Sequence, residues 1–294
     1  MPIQITKKMA AEMLPERPET GHKGTFGHVF IIGGSLGFTG AVKLAGLAAA
    51  RAGTGLVTLG VPESLMTIVG TQMLECMTFA LGESSSRSLA LSGLDAAVEF
   101  AASKDAVVLG PGCSRHPETR EFVLEFVRKC PVPFLIDADG LNNVSTDVEV
   151  LKHSQSPIVV TPHPGEMGRL VGASTAAVQS DRAGAAHKFA EDYGCTVVLK
   201  GAGTIIASPG SDVYLNSTGN HGMGTGGTGD VLSGVIGGLM AQGLPGLEAS
   251  LAGVYVHGLA GDLAAERKGC RGMIAGDLIE ALPDAWIDVE QETI

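Results

Sequence analysis

Six short runs of aliphatic and β-branched residues, each stopping abruptly on glycine or a polar group, constrain this chain more than any other feature. They occupy residues 29–32, 56–59, 106–109, 133–136, 158–160 and 196–199. Because they are unbroken rather than alternating, they suit strands buried on both faces, as in a parallel sheet. Between them lie Ala- and Leu-rich stretches of helical character at 40–52, 118–129, 183–193, 230–241 and 247–268. Strand alternating with helix predicts a doubly wound α/β fold. No internal repeat or linker interrupts the pattern, so residues 1–294 are expected to form a single domain. The Ser-rich stretch 81–92 reads as a surface loop, and Asp277 as the N-cap of a late helix.

The residues at the end of each run carry the functional signal. The first ends on Gly33-Gly34-Ser35 and the third on Gly110-Pro111-Gly112; the fourth ends on Asp137-Ala138-Asp139. The fifth meets Thr161-Pro162-His163-Pro164-Gly165-Glu166, and the sixth Lys200-Gly201-Ala202-Gly203-Thr204. Open parallel sheets bind ligands in the crevice outside the carboxyl ends of their strands. Glycine, at 42 of 294 residues, is about double its usual share of roughly 7%. Much of that excess falls at these strand ends, which predicts one large site built from several loops.

The densest cluster is Asn220-His221-Gly222-Met223-Gly224-Thr225-Gly226-Gly227-Thr228-Gly229-Asp230, immediately before a helical stretch. Glycines let backbone N–H groups turn toward an anion, and the helix N-terminus adds its dipole. A carboxylate beside a phosphate cradle is repelled unless its task is to take a proton from an attacking hydroxyl. Asp230 is therefore read as a general base. The plain alternative, an Asp helix cap after a flexible loop, is outweighed by five glycines in residues 222–229. The formal G-x-G-x-x-G match at Gly224, Gly226 and Gly229 comes after a polar loop instead of a strand and is accidental. A Walker A loop is excluded because Asp230-Val231 stands where Lys-Ser/Thr is required.

Lys200-Gly201-Ala202-Gly203-Thr204 presents backbone N–H groups and one cation to a nucleotide, or is a turn with a solvated lysine. His163, stiffened between two prolines, is a candidate ligand contact. Glu166 either orients a magnesium-bound water or caps a helix. The 33–41 glycine loop suits close approach to a ligand, while the small residues of 41–50 suit tight helix packing.

Composition closes off other classes. Lys and Arg number 20 against 31 Asp and Glu, a net charge of -11 that argues against nucleic-acid binding by phosphate neutralisation. No aromatic–basic stripe, signal-peptide core or membrane-length apolar run is present in the sequence, so no membrane partner is expected. Five scattered cysteines without a Cys-x-x-Cys pair read as free thiols in a reducing, cytoplasmic setting.

The Gly-Gly-Thr-Gly-Asp loop at 226–230, the Thr-Pro-His-Pro-Gly-Glu-Met segment at 161–167 and Lys-Gly-Ala-Gly-Thr at 200–204 together resemble the NAD(P)H-hydrate dehydratase family. His22-Lys23-Gly24-Thr25-Phe26-Gly27-His28 and Gly110-Pro111-Gly112 are similar too, and the likeness runs from about residue 14 to 282. The resemblance implies a ribokinase-like three-layer α/β/α sandwich with a mostly parallel sheet, without a fused epimerase domain, and a homotetramer. It implies that ADP, or ATP, with Mg²⁺ drives dehydration of the (6S) hydrate of NADH or NADPH back to the reduced cofactor. Carried over by motif, Asp230 is the catalytic base and Gly227, Thr228 and Gly229 form the anion hole. Lys200, Gly201, Ala202, Gly203, Thr204 and Gly229 hold the nucleotide. Ala41, Gly112, His163 and Asp230 contact the hydrate, and Glu166 reaches the metal through water. A kinase for a vitamin-like alcohol would use the same anion hole and base, and a nucleotide sensor would need no Asp230.

Overall fold

The apolar runs become the middle of one sheet. A computed structural model describes residues 1–71 and 73–293, and among them ten strands occur. These are β1 (Ile3–Gln4), β2 (His28–Ile32), β3 (Leu56–Pro62), β4 (Met77–Leu81) and β5 (Ala106–Leu109). They continue with β6 (Phe134–Ile136), β7 (Ile158–Val160), β8 (Thr196–Leu199), β9 (Ile205–Ala207) and β10 (Tyr214–Leu215). The order across the sheet is β1-β10-β9-β8-β7-β6-β5-β2-β3-β4. From β8 to β4 every pairing is parallel; β9 turns back antiparallel on β8, and β10 on β9.

Successive residues of the central strands face opposite layers. Val29 and Ile31 join one apolar cluster, while Phe30 and Ile32 join the other. Helices α1 (Lys7–Glu12), α2 (Thr39–Arg51), α3 (Met66–Gly70), α10 (Thr228–Ala241), α11 (Gly246–Lys268) and α12 (Ala275–Glu290) supply the first layer. Helices α4 (Leu94–Ala101), α5 (Pro117–Lys129), α6 (Asp139–Val144), α7 (Pro164–Val171), α8 (Thr175–Ser180) and α9 (Arg182–Tyr193) supply the second. The expected three-layer α/β/α arrangement is present.

Two local expectations need amending. Residues 81–92 do form a largely irregular surface segment, with Ser85 and Ser86 exposed, but not all of it is solvated: Ser84 and Ser88 are buried, their hydroxyls 2.9 Å apart, and Thr119 of α5 donates to Leu89 O at 2.7 Å. Serines meeting each other's bonding needs can be buried cheaply, which composition does not reveal. Asp277 is not the N-cap of α12. It lies one turn inside, and its carboxylate accepts from Ile274 N at 2.8 Å.

Beyond its first turn, helix α10 is almost wholly apolar because it is buried all round, between α2, α11 and β5. A Cβ at Gly234 would fall on the Ala45 carbonyl oxygen of α2, and one at Gly237 on the Val108 side chain of β5. Gly234→Ala is therefore expected to cost about 1–3 kcal/mol, read as a lower urea midpoint. A loss below about 0.5 kcal/mol, the size of a neutral surface change, would show that the contact yields easily.

Candidate active site

The chain proceeds from β2 to β3 and β4 on one side, then crosses back to β5 and onward to β8 on the other. The crevice therefore opens where β2 and β5 lie side by side. The 33–34 turn and the 110–112 turn meet there so closely that a Cβ on Gly33 would strike the Pro111 carbonyl. A Cβ on Gly112 would lie 3.1 Å from the Ala41 Cβ, so these two expected substrate residues are neighbours.

Farther along the same edge, β7 leads into α7. His163 is its N-cap: Nδ1 accepts from Gly165 N (3.0 Å) and Glu166 N (3.3 Å). Glu166 Oε2 reciprocates by accepting from His163 N at 2.8 Å, completing a capping box. Glu166 thus caps its helix, and it also faces the crevice, with Oε2 3.9 Å from Lys200 Nζ. Burial, with Asp137 adding to it against Lys200, raises its pKa to about 6. Burial, then Lys200 and Arg169, lower the pKa of His163.

Lys200 leaves the end of β8, its N–H donating to Pro162 O at 2.9 Å. The lysine is no solvated turn residue: its side chain is 19% exposed and Nζ lies 2.6 Å from Asp137 Oδ1. Burial opposes its charge, but Asp137, Glu166 and Asp230 outweigh that and hold its pKa above the ordinary value. The turn after it takes positive φ at Gly201 and Gly203, so glycine is needed there. Arg182 of α9 pins that turn by donating to Ala202 O (2.7 Å) and Leu199 O (2.9 Å).

Gly227, at φ +95, lets the chain enter α10, and Asp230 sits in the first turn of that helix. A Cβ on Gly229 would lie 3.4 Å from Lys200 Nζ, which brings the expected anion hole and the lysine together. Burial first, and then the Asp137 charge, push the Asp230 carboxyl up to about 7. A cavity of about 440 Å³ is lined by Lys200–Thr204, Thr228 and Gly229, with Leu232, Val254 and His257 as further wall. Ala41, Gly112, His163, Glu166, Gly227 and Asp230 lie outside that lining.

Three residues escaped the sequence reading. Asp137, 1% exposed, accepts from Lys200, from Thr161 Oγ1 (2.8 Å) and from Ser233 Oγ of α10 (2.7 Å). It ties β6, β7, β8 and α10 together at the crevice. Ser233 lies one turn beyond Asp230, and buried His257 of α11 bonds the Thr228 carbonyl. The only local signal was Asp137 ending an apolar run; nothing nearby announces partners far along the chain.

Among the described residues no group of three or more His, Cys, Asp or Glu is arranged to hold a metal. Asp137 spends both oxygens on Lys200, Thr161 and Ser233, so Glu166 is the carboxylate left at the crevice, and one carboxylate is within what Mg²⁺ takes from a protein when it keeps its waters.

Comparison with known proteins identifies the family. A family model described as NAD(P)H-hydrate dehydratase matches residues 29–284. The chain belongs to that family. It is 46% identical over 289 residues to a bifunctional NAD(P)H-hydrate repair enzyme of Moorella thermoacetica, covering 98% of this chain and 54% of that protein. To an ADP-dependent (S)-NAD(P)H-hydrate dehydratase of Neisseria meningitidis it is 39% identical, covering 90% and 86% respectively. An ADP/ATP-dependent NAD(P)H-hydrate dehydratase from Bacillus subtilis, co-crystallized with ATP/Mg²⁺, superposes with a TM-score of 0.83 at 30% identity. That match covers 98% of this chain and 99% of the other. The chain spans about half the length of the bifunctional relatives it matches. The ribokinase-like architecture expected of an NAD(P)H-hydrate dehydratase family member is the one observed. Among the described residues, no helix is long and apolar enough to cross a membrane.

Proposed function

We propose that this chain, acting as one dehydratase unit, converts the (6S) hydrate of NADH or NADPH to the reduced cofactor, using ADP and releasing AMP and phosphate. The observation that carries this reading is the placement of Asp230 in the first turn of α10, after its glycine-rich entry, with half-buried Lys200 beside Gly229; burial pushes the Asp230 carboxyl up to about 7. The relatives' names supply the substrate class.

Hydroxide is a poor leaving group, and phosphorylation remedies that. Asp230 accepts the proton of the hydrate hydroxyl as its oxygen attacks the terminal phosphorus of ADP, and AMP departs. The N–H groups of Gly227, Thr228 and Gly229 receive the transferring phosphoryl oxygens, with Lys200 as the adjacent cation. The nitrogen lone pair of the ring then expels phosphate with its electron pair as the C–O bond breaks. Loss of the neighbouring ring proton restores the dihydropyridine. The turn Lys200–Thr204 would hold the nucleotide phosphates, and Ala41, Gly112 and His163 would border the hydrate across the crevice. Mg²⁺, reached by Glu166 through water, would neutralise phosphate charge.

The assay is direct. Purified hydrate incubated with the protein should regain the reduced-nicotinamide absorbance with ADP, and not without a nucleotide; an ATP arm measures nucleotide preference. Accumulation of a stable phosphorylated alcohol without recovery would instead support an alcohol kinase.

The pKa of the base gives a further expectation. Below pH 7 Asp230 is protonated and cannot accept, so kcat/KM should rise through an acid limb with a midpoint near 7. A flat profile between about pH 5 and 8 would refute Asp230 as the base.

A further inference from the structure

Helix α11 carries one buried histidine that the proposed chemistry does not use. His257 is 8% exposed in a helical segment where Val254, Val256 and Ala260 are buried around it. Its Nε2 lies 2.9 Å from the Thr228 carbonyl oxygen. A carbonyl can only accept, so Nε2 carries the proton and donates. Burial lowers the ring's pKa to about 4, so it stays neutral with that single proton. Desolvating an imidazole is costly where an aliphatic side chain would pack, unless its bond serves a purpose.

Thr228 is one of the three anion-hole residues, and it is gripped twice. Its hydroxyl lies within bonding distance of Met223 O (2.9 Å) and Thr225 O (3.1 Å). Its carbonyl takes the histidine proton. The peptide unit is planar and trans, so its C=O and the next N–H point in opposite directions. Fixing the Thr228 C=O toward α11 therefore turns the Gly229 N–H the opposite way, toward the N-terminal end of α10; Lys200 Nζ stands beside Gly229, 3.4 Å from where a Cβ on it would lie.

We propose that His257 is a positioning residue for phosphoryl transfer, aiming the Gly229 N–H at the transferring group by clamping the Thr228–Gly229 peptide from behind. The inference rests on the function proposed above and assigns to α11 a part in it. His257 and Gly229 share the cavity wall with the Lys200–Thr204 turn, so the test reads kcat apart from KM for ADP; a positioning role in phosphoryl transfer falls on kcat.

Steady-state kinetics on His257→Leu and His257→Gln test it, with hydrate and ADP as substrates and Tm measured alongside. Leu fills the space without a donor; Gln restores an N–H. The Leu variant should lose at least about tenfold in kcat, less than the 10²–10³ typical of deleting an anion-hole donor outright. Its KM for ADP should stay within about threefold of the parent, and Gln should recover most of kcat. If the Leu variant does not fold, Asn, one methylene too short, takes its place against Gln. Unaltered kcat in the donor-less variant, a loss confined to KM or Tm, or equal impairment by Gln would overturn the inference. A parent enzyme that fails to repair the hydrate refutes the proposed function and this inference together. Repair by the parent with unaltered kcat in the Leu variant refutes only the inference.

Discussion

Asp230→Asn is expected to lower turnover of the hydrate by about 10²–10⁴, the range of a deleted general base, while ADP binds as tightly as before or more tightly. The loss falls on kcat because the missing interaction, acceptance of the hydroxyl proton, exists only in the transition state. Binding survives because the turn at Lys200–Thr204 and the N–H groups entering α10 are untouched, and one negative charge near the phosphates has gone. The same variant should be more stable than the parent at pH 8. The folded pKa of about 7 lies above the ordinary value of 3.8, so the folded state binds the proton more tightly than the unfolded chain. Stability from that proton is complete below about pH 4 and is lost as pH rises through about 7. Asparagine carries no such penalty. The gain should be of order 1–4 kcal/mol at pH 8, read as a higher Tm, and should shrink as pH falls toward 4. A variant that loses ADP affinity, or is less stable than the parent at pH 8, contradicts this picture.

Asp137→Ala is expected to have the largest effect on stability, about 3–5 kcal/mol, the cost of stranding one partner of a buried ion pair. It leaves Lys200 Nζ without its 2.6 Å partner and also deprives the Thr161 and Ser233 hydroxyls of their acceptor. The double variant Asp137→Ala/Lys200→Met should regain part of that loss, because it removes the uncompensated charge. Urea unfolding of the two single variants and the double variant measures this coupling. A cost below about 1 kcal/mol for Asp137→Ala, the value of an exposed pair, would mean that water replaces the carboxylate freely.

The central strands were legible because burial on both faces leaves an unbroken apolar run, and 106–109, 158–160 and 196–199 coincide with β5, β7 and β8. Strand β4 was not, since it lies at the sheet edge with only Leu81 fully buried and carries no such run. Strands β9 and β10, three and two residues long, are set by pairing with β8 and with each other rather than by their own pattern. In the crevice, the glycine cluster before Asp230 was legible because backbone approach to an anion demands glycine locally. The Lys200–Asp137 pair was not, because its members are 63 residues apart and meet only when β6 and β8 flank β7. His257 was hidden for a related reason. A single histidine in an apolar helix looks the same whether it fills space or holds a peptide plane in α10.

The central claim is that the hydrate hydroxyl is phosphorylated before it leaves. Hydrate labelled with ¹⁸O in that hydroxyl, turned over with ADP in unlabelled water, tests it most directly. Attack by the hydroxyl oxygen on phosphorus, then C–O cleavage, predicts one ¹⁸O in each phosphate released. Label found in water, with unlabelled phosphate, would contradict the account.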